Sequence, residues 1–297
     1  MTKPQKLRDF AKYYFSEFSD DAENAENAGL FLTDAEIEML PANKQKIGDI
    51  LIVSIPEALS HKKSEIGKLL LLMDSKARLV LNDGGISGQF RIPQREIIAA
   101  RDGTDLSTET IHKENGCKFK LDTAQIMFSK GNLTEKKILT KSCNGETIID
   151  MFAGIGYFSI PIAVHSNPSK ILAVELNPVS YGYLCENIRL NGLESVIEPI
   201  CGNCRTSTPV NIADRVLMGY VGTTHEYLET GIQAVKKEGG FLHYHETVHE
   251  RDFPDRAAER IQNAAEKCGR KAVILESRKI KKYSPGVWHV VIDVKLK

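Results

Sequence analysis

Ile148-Ile149-Asp150-Met151-Phe152-Ala153-Gly154-Ile155-Gly156 is the stretch on which the reading of this chain turns. An apolar run leads into an acidic residue, then a glycine turn, then a helix-like run from Tyr157 to His165. Further on, Ile171-Leu-Ala-Val174 ends in Glu175. Strand, glycine turn, helix and a second strand with a terminal carboxylate are the parts of a nucleoside pocket. The glycines let backbone approach the ligand, and the carboxylate accepts hydrogen bonds from ribose hydroxyls. The turn holds only Gly-x-Gly, so the longer Gly-x-Gly-x-x-Gly dinucleotide pattern is absent. Asp150 would repel a pyrophosphate and suits a cationic ligand. These residues point to S-adenosylmethionine (AdoMet), with its sulfonium and ammonium, in preference to NAD. The competing reading is an ordinary βαβ turn with an acid at each strand end.

From Glu146 onward, strands and helices alternate. Strands are expected at about 147–151, 170–175, 195–200, 213–218, 239–244, 271–277 and 287–295, with helices notably at Pro178–Leu190, Thr224–Lys236 and Pro254–Cys268. Regular alternation implies an α/β fold with a mostly parallel seven-stranded sheet covered on both faces. The last strand follows Ser-Pro-Gly with little room for a crossover helix, so it should enter antiparallel beside its predecessor. This Rossmann-like, AdoMet-binding domain should span 141–297, with the seam at Lys141–Gly145.

Upstream, the period changes twice. Residues 1–44 read as a helical segment, with Leu7, Phe10, Ala11, Tyr14 and Phe18 at three- and four-residue spacing and a helix start at Thr33-Asp34-Ala-Glu36. Residues 45–140 read as a small α+β domain. Its strands are Asp49–Ile55 and Arg78–Leu81, the latter ended by an Asn82-Asp-Gly-Gly turn, with a helix from Glu65 to Met73 between them. Glu109–His112 and Cys117–Leu121 should form a hairpin around Asn115-Gly116.

Composition narrows the class. The chain has 297 residues, 42% hydrophobic and 26% charged, as in an ordinary soluble protein of about two domains. No apolar run approaches the roughly 20 residues that span a bilayer, and Met-Thr-Lys-Pro-Gln-Lys-Leu-Arg lacks the apolar core of a secretory signal. A cytoplasmic protein without membrane contact is expected. Among six cysteines, only Cys201 and Cys204 have C-x-x-C spacing, and no second pair completes a zinc site. Reduced thiols are the expectation. His243, His245 and His249 invite a metal reading, but they close a predicted strand on the rim of the proposed pocket, and no metal is expected. Net charge is zero. Acidic residues gather at Asp20, Asp21, Glu23, Glu26, Asp34, Glu36 and Glu38, and basic ones at Arg278, Lys279, Lys281 and Lys282.

Several segments together resemble one group of archaeal and eukaryotic tRNA-modifying enzymes. They are Lys46-Ile-Gly-Asp-Ile-Leu-Ile52, Gly88-Gln-Phe-Arg-Ile-Pro93, His112-Lys-Glu-Asn-Gly116 and Met127-Phe-Ser-Lys-Gly-Asn-Leu-Thr-Glu135. Asp150-Met-Phe-Ala-Gly-Ile-Gly-Tyr-Phe-Ser-Ile-Pro161, Glu175-Leu-Asn-Pro178, Asp214-Arg-Val and Trp288-His-Val-Val-Ile-Asp-Val complete the set. The group contains the N1-methyltransferases of guanosine 37 and their relatives in wybutosine biosynthesis, and the resemblance covers roughly residues 45–297. The methyltransferases carry an Asn-(Leu/Pro)-Pro motif just beyond the Asp-Arg-Val stretch. Here Asp214-Arg-Val-Leu-Met218 runs instead into Gly219-Tyr220-Val221-Gly222. The sequence therefore looks like the aminocarboxypropyltransferase branch. Those enzymes move the 3-amino-3-carboxypropyl chain of AdoMet to C7 of 4-demethylwyosine at position 37 of tRNA(Phe).

The resemblance implies a cast of residues. Phe152, Ala153, Gly154 and Gly156 lie beneath the nucleoside, Glu175 grips the ribose diol and Leu176 packs on adenine. Asn203 addresses the adenine amino edge with Cys204 beside it, and Ser129 and Lys136 reach the donor from the preceding segment. The family usually has Glu-Arg where this chain has Glu135-Lys136, so the grip there is a point charge in place of a planar fork. Tyr220, His243 and His245 are candidates for a general base, with none assigned. The partner implied is tRNA(Phe) bearing a tricyclic base, met by a monomer. A guanosine-37 N1-methyltransferase with a degenerate loop is the alternative, and a non-catalytic tRNA-binding protein is the alternative of another class.

Overall fold

A computed structural model describes residues 6–17, 30–88, 91–128, 133–141 and 143–297. Phe18, the acids Asp20, Asp21, Glu23 and Glu26, and Ser129 lie outside the described residues. The chain divides into two compact units: residues 1–113 with 120–128, and residues 114–119 with 129–297.

In the first unit, helix α1 (Leu7–Glu17) buries Leu7, Phe10 and Ala11 in one core with Ile66, Leu69 and Leu70 of helix α3 (Lys63–Met73). Helix α2 (Asp34–Glu38) starts at Thr33, where a capping box forms: the hydroxyl accepts the Glu36 N–H, and the Glu36 carboxylate accepts the Thr33 N–H at 2.7 Å. A four-stranded sheet runs in the order β1 (Gln45–Ile47), β2 (Ile50–Val53), β3 (Leu79–Ser87), β4 (Ile92–Ala100). One expectation is overturned here. Asn82-Asp-Gly-Gly is not a turn, because β3 continues to Ser87 against β4 and absorbs Gly84 and Gly85 in an irregularity between Asp83 and Ile86. The Asn82 side chain bonds outward, accepting the Ile55 N–H at 3.0 Å. β5 (Glu109–Glu114) and β6 (Cys117–Asp122) form the hairpin, with Asn115 at φ 48° and Gly116 at φ 75° as a two-residue turn of this kind requires.

The second unit holds the seven-stranded sheet. Its strands are β7 (Thr147–Asp150), β8 (Lys170–Glu175), β9 (Ile197–Cys201), β10 (Arg215–Met218), β11 (Gly240–His249), β12 (Ala272–Ser284) and β13 (Val287–Leu296). They lie in the order β12-β13-β11-β10-β7-β8-β9. Only β13 runs against its neighbours. The connection runs one way from β7 to β9 and the other way from β10 onward. The switch point, where open α/β sheets bind ligands, therefore lies at the carboxyl ends of β7 and β10. Helices α4 (Leu228–Ala234) and α5 (Asp255–Lys267) bury Leu228, Ile232, Ala257 and Ile261 against the sheet.

Two strands run longer than their periodicity predicts. β11 pairs with β10 only over Phe241–Tyr244, yet continues to His249 against β13. β12 continues to Ser284. The result is a three-stranded ribbon overhanging the carboxyl edge of the sheet. It is invisible in the hydropathy because His245, Glu246 and His249 read as the end of a strand.

Candidate active site

The turn after β7 is built by its backbone. The Ala153 N–H bonds the Val174 carbonyl at 2.9 Å, fixing the turn to the end of β8, and the Gly156 N–H returns to the Ala153 carbonyl at 2.9 Å. Gly154 sits at φ +58° and Gly156 at φ +98°. Added Cβ atoms would stand 2.5 Å from the Tyr157 ring and 2.5 Å from the Ile160 side chain, so only glycine fits both places. Glu175 closes the turn from below. Its Oε2 accepts the Gly154 N–H at 2.7 Å and its Oε1 accepts the Asn177 N–H at 2.8 Å. Each oxygen keeps a lone pair for a diol. Burial raises the Glu175 carboxyl above its ordinary value, against the pull of those N–H groups.

Asp150 is fully buried, where the sequence reading set it to face a cation. Ser159 Oγ donates to it at 2.8 Å and the Phe152 N–H at 3.3 Å. Burial pushes its carboxyl up to about 6, with the nearby Glu175 charge adding to the rise. Its influence on a ligand acts through the field, not through contact.

Leu176, Asn203 and Cys204, the residues expected beside adenine, lie around the ends of β8 and β9. Leu176 is exposed beyond Glu175, and the Gly202 N–H bonds the Glu175 carbonyl at 2.9 Å, bringing the end of β9 alongside. Asn203 caps the short helix Cys204–Ser207, with Oδ1 accepting the Arg205 N–H at 3.0 Å. Cys204 is buried beneath it, and burial pushes its thiol up to about 11. A thiol held this high is inert packing. Cys201 is exposed, and neither is in a disulfide.

Beside the turn stands an aromatic ladder that the sequence reading largely missed. Phe152 stacks on Tyr220 (centroids 5.3 Å apart, planes at 23°), meets the edge of Tyr227 at 5.3 Å, and Tyr227 carries the Arg205 guanidinium at 4.4 Å. The sequence singles out Phe152 and Tyr220 but not Tyr227 or Arg205. Tyr227 lies in a 3-10 segment (Thr224–Tyr227) without a periodic pattern that could flag it. In the loop Gly219–Gly222 the first glycine does not lend freedom. A Cβ on Gly219 would stand 2.8 Å from the buried Phe158 ring, so this glycine permits close packing. Gly222, at φ +118°, is the position that needs glycine for its backbone.

His243 and His245 are not on a rim. His243 is buried with both ring nitrogens engaged, Nε2 by Arg215 at 2.5 Å and Nδ1 by Asp293 at 2.5 Å. Arginine only donates, so Nε2 accepts and the proton sits on Nδ1. Burial holds His243 below its ordinary value despite Asp293. His245 is 1% exposed, packed edge-on to Phe158 with Nδ1 3.0 Å from His289 Nε2, and burial drives it well below the ordinary value. Of the three candidate bases, Tyr220 alone is not deeply buried.

Two basic residues also depart from expectation. Lys136 is buried, its Nζ 2.5 Å from Glu114 and 5.6 Å over the Phe119 ring, so it is engaged by the hairpin tip. Arg278, counted in a surface cluster by its sequence, forms a fork with Glu135 (3.1 and 2.8 Å) and bonds Asp293 at 2.5 Å. No group of three or more His, Cys, Asp or Glu that could hold a metal ion occurs among the described residues.

A sheet of this order with β13 inserted antiparallel, a Gly-x-Gly turn after β7 and a carboxylate ending β8 defines a class I AdoMet-dependent transferase. Residues 110–274 match the TRM5/TYW2 methyltransferase domain, and residues 30–104 match the TYW2 N-terminal domain. The chain belongs to the TRM5/TYW2 family. It is 48% identical over 252 residues to the tRNA(Phe) (4-demethylwyosine(37)-C(7)) aminocarboxypropyltransferase of Methanocaldococcus jannaschii, covering 84% of this chain and 96% of that protein. Its fold matches M. jannaschii TYW2 in complex with AdoMet at a TM-score of 0.69 and 41% identity, covering 86% of this chain and 99% of that one. It matches P. horikoshii TYW2 in complex with MeSAdo at 0.80 and 35%, covering 92% and 97%.

Proposed function

We propose that this chain transfers the 3-amino-3-carboxypropyl group of AdoMet to C7 of 4-demethylwyosine at position 37 of tRNA(Phe), releasing 5′-methylthioadenosine. It works as a monomer in the cytoplasm, on a tRNA that already carries the tricyclic base. The observation that carries this reading is the loop after β10. Gly219-Tyr220-Val221-Gly222 stands where the methyltransferases place an Asn-Pro-type corner, with Gly219 set against Phe158 and Tyr220 stacked on Phe152.

The chemistry asks little activation of the protein. AdoMet is a sulfonium with three electrophilic carbons, and each displacement expels a neutral thioether. Selectivity is a matter of which carbon faces the nucleophile, so positioning does most of the work. C7 attacks the γ-carbon of the amino-acid chain, the Cγ–S bond breaks with its electron pair going to sulfur, and the C7 proton leaves to water as the ring rearomatises. Glu175 holds the ribose, Leu176 covers adenine, Asn203 addresses its amino edge, and Phe152, Ala153, Gly154 and Gly156 form the floor. Cys204 packs below Asn203. Tyr220, paired with Phe152, offers a flat face of the size a tricyclic base stacks on. Ser129 is proposed to bind the donor on the resemblance alone. Lys136 joins it once Glu114 yields the ammonium to the donor carboxylate.

The test is mass analysis of the small-molecule by-product after incubation with AdoMet and precursor tRNA. 5′-Methylthioadenosine is the expected product, and S-adenosylhomocysteine would reject the reading.

A further inference from the structure

The overhanging ribbon breaks the even alternation of β12. Register shifts fall between Lys279 and Lys281 and between Lys282 and Ser284. Each inserts one residue and turns the following side chains to the other face. Under plain alternation, Lys279 and Lys282, three positions apart, would stand on opposite faces of the strand. The extra residue at Ile280 brings both to the same side. Lys282 lies opposite Trp288, and Lys279 opposite Val290, two positions further along β13. Their ammonium groups stand 5.8 Å and 5.3 Å from the Trp288 ring centroid. Trp288 itself packs against the core of the second unit, which fixes the ring. Lys279 is additionally 5.4 Å over Phe253 and 3.2 Å from Glu250.

Two flexible cations are thus held against one rigid aromatic residue, with their remaining N–H groups free to serve an anion. The pair lies on the carboxyl edge of the sheet. On β12 it is three strands from β10 and two to four residues past the last β11 position paired with β10, or roughly 15–20 Å from the end of β10 at the usual strand and residue spacings. It occupies the side away from β8 and β9, which carry the proposed adenosine contacts. We propose that Lys279 and Lys282, presented by Trp288, form a clamp for backbone phosphates of the RNA on this side of the reacting nucleotide. The proposal deepens the reading of the protein as a tRNA-acting enzyme and rests on it. Arg278, which the sequence groups with these lysines, takes no part, since Glu135 and Asp293 occupy it. Glu250 competes with phosphate for Lys279, so Lys282 carries the larger share.

Trp288 is the only tryptophan of the chain, so it reports on its own surroundings. Titration with precursor tRNA should change its emission saturably. Lys282→Glu should weaken tRNA binding about tenfold, and Lys279→Glu should weaken it less. The double variant should lower the slope of log affinity against log salt by about 1.5, since each released phosphate contact contributes roughly 0.7–0.9. Glu250→Gln should tighten binding by freeing Lys279. A double variant with wild-type tRNA affinity and salt slope, or unchanged Trp288 emission while tRNA binds, would overturn the clamp. Wild-type protein that binds tRNA with these signatures but releases no 5′-methylthioadenosine would instead sink the proposed reaction and leave the clamp standing.

Discussion

Glu175 already accepts two backbone hydrogen bonds, and these aim its remaining lone pairs past the Gly154 turn. Replacement by alanine removes both the turn's closing contact and the proposed ribose acceptor. A lost charge-assisted hydrogen bond is worth roughly 1.5–3 kcal/mol, so AdoMet affinity measured by calorimetry should fall tenfold or more. Unchanged affinity would mean that the nucleoside lies elsewhere. Asp150 ties the site to pH. Its carboxyl is raised to about 6 from the usual 3.8, so the folded protein binds that proton more tightly than the unfolded chain does. Its contribution to stability is therefore fullest below the unfolded value and declines as pH rises through about 6. A bound sulfonium nearby favours the ionised form and expels the proton. AdoMet should bind several-fold more tightly at pH 7 than at pH 5, and Asp150→Asn should flatten that dependence.

At the scale of elements, the loop after β10 is defined by a close approach, and that makes it fragile in a specific way. Gly219→Ala sets a methyl 2.8 Å from Phe158, whose ring is buried and braced edge-on by His245. Overpacking of this kind costs about 1–3 kcal/mol, and denaturant unfolding should register it as a lowered midpoint with unchanged slope. The same loop shows what the sequence could carry. The Gly-x-Gly turn, helix Pro178–Leu190 and the antiparallel last strand were legible, because local periodicity and a short Ser-Pro-Gly link determine them. β4 was missed because its burial is irregular, and β3 was cut short because Asn82-Asp-Gly-Gly carries turn residues that tertiary pairing overrides. The aromatic ladder and the partners of His243 were hidden for a different reason. Arg215, His243 and Asp293 are side by side only through strand register, and no spacing along the chain encodes that.

Across the second unit, these pairings join into one chain of charged and polar side chains: Glu146, Arg215, His243, Asp293, Arg278 and Glu135. It fastens the helix Leu133–Leu139 to the sheet. Burial raises the Asp293 carboxyl, but hydrogen bonds from His243 and Arg278 outweigh it and hold the group at about 2. That stabilisation is present above the ordinary carboxylate value near 3.8 and is lost as pH falls towards 2. Asp293→Asn, which takes the carboxylate from His243 and leaves Arg278 to Glu135 and Glu276, should cost about 1–3 kcal/mol at neutral pH and remove this part of the acid slope in denaturation curves.

Isotopic labelling reads the identity of the transferred group directly. AdoMet labelled in its carboxyl carbon and AdoMet labelled in its methyl group would each be incubated with the protein and tRNA carrying the tricyclic precursor. Carboxyl label should enter the tRNA, methyl label should not, and 5′-methylthioadenosine should accumulate in step. Methyl label appearing on guanosine 37 of unmodified tRNA would contradict this and assign the chain to the methyltransferases instead.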